Sequence, residues 1–441
     1  GGVQAVNVTN PSPSFGNNGN NGNNSASGHS VAMGTNNNAD NRSVALGHSN
    51  RANASAVALG DSSAATGASS IATGARAVAA GTDAIANGTG AVADGPASIA
   101  IGKSTKAMSQ DAIAIGTEAE ATGQSAVAIG KAAKALGSKA IAFGEDAQAK
   151  EAEAIAIGAN TLANNQGIAL GSRANALGQG SIALGLESKS EGNSSVALGL
   201  KSVTKAENTV AIGYMANAST ASAVSIGTES KAIGNSSVAL GREAISKGAS
   251  SLALGPQAKA DGTAAIAIGS LASTSGVHAV AIGATTEASH QDTTAVGNNA
   301  KALKEYATSL GINAKATGRS ATALVHDSLA LAENAVAIGR YAQAHGVNSV
   351  ALGNQASTAE GASATIAIGN YARAYEDNAI AAGNGALAQG RDSIAVGTRA
   401  KAFGSSSIAI GADTQFSTHK TVALGDHITN TLDNSVYLGS Y

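Results

Sequence analysis

The apolar positions of this chain fall in a five-residue pattern that returns about every fourteen residues. It reads SIAIG at 98–102, AIAIG at 112–116 and AVAIG at 126–130. The closing glycines run from Gly34, Gly47, Gly60 and Gly74 through Gly311, then from Gly339 to Gly439. Three residues before each closing glycine most turns carry Val or Ile, one before it Ile or Leu, and Ala lies between. Alternation with period two predicts a strand with aliphatic side chains on one face and methyl groups on the other. The rest of the turn alternates as well: after Gly116, Ala119 and Ala121 point one way and Glu118 and Glu120 the other. Each turn therefore predicts two short strands. Glycine stands at the corners because a chain reversing within two or three residues needs backbone angles that Gly adopts cheaply.

A unit this short cannot bury an apolar face except against its neighbours, so the pattern predicts an all-β solenoid of ~14-residue turns stacked in parallel. The second strand offers only Ala and Ser on its non-polar face, which must therefore be the inner one. If the first strand also turns its Ala inward, two methyl layers meet in a thin roll and the Val/Ile/Leu face becomes an outer stripe. The alternative puts Val and Ile inside against Ala. Covering each side chain of an outer stripe is worth about 1.5–3 kcal/mol, and apolar patches beyond a few hundred Å² mark interfaces. Identical copies are expected to cover it, three of them closing around an axis, since a contact that failed to close would grow filaments.

Composition narrows the picture. Aromatics are 2% of the chain and Trp and Cys are absent, which excludes a core of large side chains, a disulfide framework and thiol-ligated metals. A balance of 27 basic and 29 acidic residues signals no attraction to nucleic acid or an anionic membrane. The opening GGVQAVNV is no basic, apolar leader, so the chain is read as a mature fragment whose targeting and anchoring parts lie elsewhere. Residues 1–30, with PSPSFGNNGNNGNNSASG, are expected to be an irregular lead-in to a head over 31–439. A capping strand at Val3–Val8 is the alternative, and residues 440–441 would begin a neck.

Departures from the repeat point to local features. The spacing drops to 13 at Gly34–Gly47, Gly47–Gly60 and Gly158–Gly171, which predicts shortened corners. It rises to 16 between Gly353 and Gly369, which predicts a surface loop in STAEGASAT. Val325 replaces a closing glycine and should strain its corner. Thr73, Asn87, Thr294, Thr308 and Thr322 put polar groups on the stripe, either to fix register between chains or as tolerated drift. Phe416 and Tyr437 stand at Ala positions, where overpacking should open the roll.

Candidate chemistry is sparse. No two of the eight histidines lie fourteen residues apart, so they read as surface groups and predict no metal site. Glu118, Glu120, Glu187 and Glu229, beside Lys189 and Lys231, read as a solvated outward strand. The glycines form no phosphate loop or dinucleotide fingerprint, and the Asp-rich calcium nonapeptide is missing. No enzyme and no cofactor are expected, because catalytic acids would cluster on neighbouring turns. Tyr341, Tyr371 and Tyr375, with Arg340 and Arg373, form the candidate ligand contact, since Tyr and Arg are enriched in binding hot spots. The alternative makes the tyrosines caps over the insertion near Glu360. Lys301 and Lys315, on consecutive turns, offer a charged strip for an acidic partner.

The pentads NSSVALG at 193–199 and 235–241, NSVALG at 348–353 and the half-turn EAEATG at 118–123 resemble the head repeats of YadA-like trimeric autotransporter adhesins of Gram-negative bacteria. The resemblance covers about 31–439. It implies a left-handed parallel β-roll, a homotrimer and type V secretion to the bacterial cell surface. A neck, a coiled-coil stalk and an outer-membrane barrel anchor are implied outside this sequence. The implied role is a virulence-associated one: adhesion to a host matrix protein (collagen, fibronectin or laminin) or an epithelial receptor, with self-association between cells and biofilm formation. A structural trimeric fibre of a phage or fimbria, without a ligand of its own, is the competing reading.

Overall fold

A computed structural model describes residues 14–16 and 24–439. Contacts gather into two compact units, up to Ala221 and from Ser222 onward, where a single head over 31–439 is expected. In a solenoid each turn touches only its neighbours, so contacts have no common centre to gather around. Each unit is a parallel β-solenoid, and no helix occurs among the described residues. The turns number about thirty in all.

One turn shows how the sequence builds the rest. Ile113–Ile115 and Glu120–Ala121 are its strands. They pair in register with Val127–Ile129 and Lys134–Ala135, as Ile266–Ile268 pairs with Val280–Ile282 in the second unit. The Ile113 amide donates forward to the Ala126 carbonyl at 2.9 Å, and the Gly116 amide donates backward to the Ile101 carbonyl at 2.8 Å. Main-chain polar groups are thus satisfied between turns, which a roll too thin to hold water requires. Ala119, Ala121, Ala126 and Ala128 are fully buried, four inward methyl groups per turn. Val127 and Ile129 stay half-buried, Ile101 is 38% exposed and Phe143 is 52% exposed. Ala therefore faces inward and the aliphatic stripe outward, and the alternative with Val and Ile inside does not occur.

The corners are sterically exacting. Gly130 has φ +133°, and a Cβ there would lie 2.4 Å from the Gly144 carbonyl oxygen of the next turn. Two residues beyond each such glycine the chain enters the left-handed region at ordinary residues, as at Glu118 (φ 59°), and the second corner repeats this at Ser125 (φ 53°). The Gly116 carbonyl accepts from the Ala119 amide at 3.3 Å, which makes the corner a type II turn. A left-handed L-residue costs roughly 1–2 kcal/mol. Here it is sustained by stacking: the Glu118 amide donates to Lys103 and the Ser125 amide to Gln110, each fifteen residues back. Glu118, Glu187 and Glu229 consequently occupy corners, and only Glu120 lies on the outward strand where all four are expected.

The departures fall where the chain can absorb them. In the first short turn Asn41 and Arg42 are left-handed in succession (φ 54° and 63°), so the second corner has lost its residue. Near Gly158 the same corner shortens and Gly167 takes the buried place of Ala. The two extra residues after Gly353 form a loop over 359–364, with Gly361 at φ 80°. Val325 sits at φ 87°, a strained angle for a β-branched residue.

The solenoid begins before Val31, which corrects the expected lead-in. Ser14–Gly16 pairs with Ala32–Gly34, and Ser25–Ala26 with Asn38–Ala39. A buried amide ladder makes this possible without apolar side chains. Asn37 Nδ2 donates to the Met33 and Gly47 carbonyls at 2.8 and 2.7 Å, and its Oδ1 accepts from the Asn50 amide at 3.0 Å. Asn24 Oδ1 accepts from the Asn37 amide in the same way. Val3–Val8 and residues 440–441 lie outside the described residues.

At the other end Phe416 is buried in a strand still paired with Lys401–Ala402. The next turn has no second strand among its described residues. There the Tyr437 hydroxyl accepts from the Leu432 amide at 2.8 Å, beside an open cavity of about 600 Å³ lined in part by Ile428 and Tyr437. The roll opens one turn after Phe416.

Replacing Val325 by Gly is expected to raise stability by about 1–3 kcal/mol, the cost of a strained residue, and Gly130→Val to lower it by at least as much. Thermal denaturation followed by circular dichroism reads both. Unchanged midpoints would remove the steric account of the corners.

Candidate functional site

With the interior packed solid with Ala, Ser and Thr, a ligand can be met only on the outward strand and the corners. Columns of equivalent side chains run along each unit, one residue per turn. Many carry alternating charge: Arg173 pairs with Glu187 at 2.9 Å and Glu187 with Lys201 at 3.8 Å. In the second unit Arg319 lies 3.3 Å from Glu305 and 3.9 Å from Glu333. Lys301 stands opposite Lys315 across a strand pair, while its Nζ reaches Glu287 at 3.5 Å, so the expected lysine strip is partly neutralised.

The strained corner at Val325 begins the densest cluster of interaction-prone groups. His326 and Arg340 are the first residues after consecutive closing positions and so share a column, and Asp327 and Tyr341 share the next. The His326 and Tyr341 rings meet edge to face at 5.8 Å, and the Arg340 guanidinium lies over the Tyr341 ring at 4.9 Å. Arg340 Nη2 donates to the Tyr341 hydroxyl at 3.4 Å, and His326 Nδ1 lies 3.2 Å from Asp327 Oδ2. Cation–π stacking of this kind holds the ring in place while leaving one side to solvent.

Of the five predicted contact residues, Arg340 and Tyr341 are thus brought into direct contact. Tyr371 takes the left-handed corner position two turns on (φ 58°). Arg373 lies on the outward strand Arg373–Ala374, and exposed Tyr375 follows it. No ring contact joins Tyr371 or Tyr375 to Tyr341 among the described residues. Tyr371 therefore shares a column with Tyr341, while Arg373 and Tyr375 lie apart from it. His326 was passed over because histidines were compared only with one another; its spacing of fourteen from Arg340 was the available signal.

Among the described residues no group of three or more His, Asp or Glu side chains could hold a metal ion. Three tight surface pairs do shift titration. Arg399 donates to both carboxylate oxygens of Asp413, at 2.5 and 2.6 Å, and holds its pKa below the ordinary 3.8. His48, helped by Ser62, does the same to Asp61. The Glu145 carboxylate raises Lys131.

The model of the YadA head domain repeat matches in successive segments from 52–77 and 79–105 through 362–386 and 388–414, together most of the chain. The chain belongs to the YadA head domain family. Its repeats are those of an adhesin-type head, and a search of curated proteins returned no match. Within this YadA-type head the closing glycines and inward alanines recur from turn to turn, and the corner columns vary.

Because folding depresses the Asp413 pKa, any stability this pair lends is complete above pH 3.8 and is lost as pH falls through the lower folded value. Arg399→Ala is expected to move Asp413 upward toward 3.8 in a carboxyl-detected NMR titration, with little effect on stability near neutral pH, since exposed pairs contribute little. An unmoved titration would remove the pairing.

Proposed function

We propose that this chain is the ligand-binding head of a homotrimeric bacterial surface adhesin, non-enzymatic, anchored in the outer membrane through segments outside this sequence. The observation that carries the reading is the outward aliphatic stripe on a chain whose interior is already complete. In the first unit Ile101 and Leu198, and in the second Ile282 and Ile368, remain 38–40% exposed at equivalent positions. An apolar row this regular is expected to be covered, and copies of the same chain carry the matching row. Three-fold closure covers every stripe with none left over. The ligands this reading favours are a host matrix protein such as collagen, fibronectin or laminin, or an epithelial receptor, with head-to-head association between cells leading to aggregation and biofilm.

Polar residues on the stripe fit a role in register. Thr294, Thr308 and Thr322 pair across three successive turns, and Asn87 stands between Thr73 and Ile101.

Sedimentation of the purified chain is expected to give a trimer that Ile113→Asp combined with Ile129→Asp converts to monomer. Binding to immobilised collagens, fibronectin, laminin or epithelial cells is expected of the trimer. A stable wild-type monomer at low concentration overturns the assembly, and failure to bind any of these surfaces overturns the adhesive role. Asn87→Ile is expected to raise the melting temperature of the trimer by removing a polar group from the seam. A loosened trimer instead assigns Asn87 to register.

A further inference from the structure

The corner that starts at Val325 continues for five turns as a two-column strip that, beyond His326, Asp327 and Arg340, carries amides and phenols in place of charges. After His326 and Arg340 the first column continues as Asn354, Asn370 and Asn384, all exposed. Their amides form a ladder: Asn354 Nδ2 donates to Asn370 Oδ1 at 2.9 Å, and Asn370 Nδ2 to Asn384 Oδ1 at 3.3 Å. The ladder fixes each amide's orientation while using only part of its capacity, since a primary amide has two N–H donors and two acceptor lone pairs. In the adjacent column Tyr341 and Tyr371, 38% and 45% exposed, flank Gln355.

We propose that this strip is a binding site for an oligosaccharide. A sugar presents pairs of neighbouring hydroxyl groups, each both donor and acceptor, and faces of C–H bonds. Planar amides and a guanidinium in fixed orientation match the hydroxyl pairs, and phenol rings match the C–H faces. Turns spaced about 4.8 Å apart repeat these groups along a line, as a glycan chain repeats its rings. The Arg340 contact and the T-shaped His326 contact preset the Tyr341 ring, so little side-chain entropy is lost on binding. The strain at Val325, at the start of the strip, is of the kind that persists at ligand-binding corners. Equivalent positions of the second column carry charged Arg173, Glu187 and Lys201, and Met215 and Leu271 at the same corner are exposed on the chain.

The inference deepens the adhesin reading and rests on it for its biological setting. The test is binding of the intact oligomeric chain to immobilised tetrasaccharides: one of N-acetylglucosamine, one of alternating galactose and N-acetylglucosamine, and the latter capped by sialic acid. Wild type is expected to retain at least one probe. Tyr341→Ala and Asn370→Ala are expected to weaken retention tenfold or more without changing sedimentation or melting temperature, and Tyr341→Phe to keep most of it. Tyr306→Ala, at a second corner outside the strip, should bind as wild type. Failure of wild type to retain any probe, or equal binding by Tyr341→Ala and Asn370→Ala, overturns the proposal. The adhesin reading is scored separately, by attachment to matrix proteins and epithelial cells, so a head that attaches but binds no glycan sinks this inference alone.

Discussion

Everything in this fold follows from how closely one turn must approach the next at the closing corner. A Cβ on Gly241 would lie 2.5 Å from the Gly255 carbonyl oxygen, and the same approach recurs at Gly255, Gly269 and Gly283 against their successors. Parallel ladders with no residue to spare leave little freedom to relax, so glycine is imposed at the closing position of turn after turn, with strained Val325 the exception in the second unit. That constraint fixes the strand spacing and the width of the roll. A roll so narrow holds mostly methyl-sized groups inside, together with small hydroxyls, many of which return their hydrogen bond to the corner, as Ser195 Oγ does to the Gly192 carbonyl at 2.6 Å.

An interior limited in this way cannot supply the stabilisation that large side chains give a globular core. Stability is displaced outward, to hydrogen bonds between turns and to the aliphatic stripe. The chain is thus a half-finished object energetically, although its backbone bonding is complete. Buried hydroxyls collect in the middle of the sequence: Ser190, Ser195 and Thr204 lie within 3.0 Å of one another, and Ser246 bonds Ser251. Unlike the alanine runs on either side, this stretch adds polar satisfaction in place of apolar contact.

The strands and the loop in STAEGASAT were legible in the sequence, because period two within a period of fourteen leaves one consistent register; which face of the first strand turns inward, and which corner shortens, stayed open. The left-handed corner positions were not legible. Glu118, Met215, Tyr341 and Lys201 all adopt positive φ, and none belongs to the Gly/Asn class that normally marks such angles. The conformation is sustained by a hydrogen bond that the residue's backbone N–H donates to a carbonyl of the preceding turn, a non-local cause that residue type does not record. The lead-in was misread for a related reason: its low apolar content predicted disorder, whereas Asn24, Asn37 and Asn50 satisfy the backbone through their side chains. Their spacing of thirteen was the visible clue. Tyr341 and Arg340 were chosen from residue type, and what type could not show was that Tyr371 continues the Tyr341 column two turns on while Tyr375 follows the outward strand.

Because the left-handed corner tolerates almost any side chain once stacking holds it, the corners can vary while the scaffold does not. The sixteen-residue turn tests this. Its two extra residues would shift every later column if they entered the first corner or a strand. Instead they leave through the loop at 359–364, Val350–Leu352 still pairs in register with Ile366–Ile368, and the Tyr371 amide donates to Asn354 at 3.0 Å. The column of first corners therefore passes the insertion unbroken, keeping Gln355 and Tyr371 on adjacent rungs. A head built this way can gain loops on one edge without disturbing the array on the other. The edge where Arg340, Tyr341 and the asparagine ladder lie keeps its spacing across the insertion.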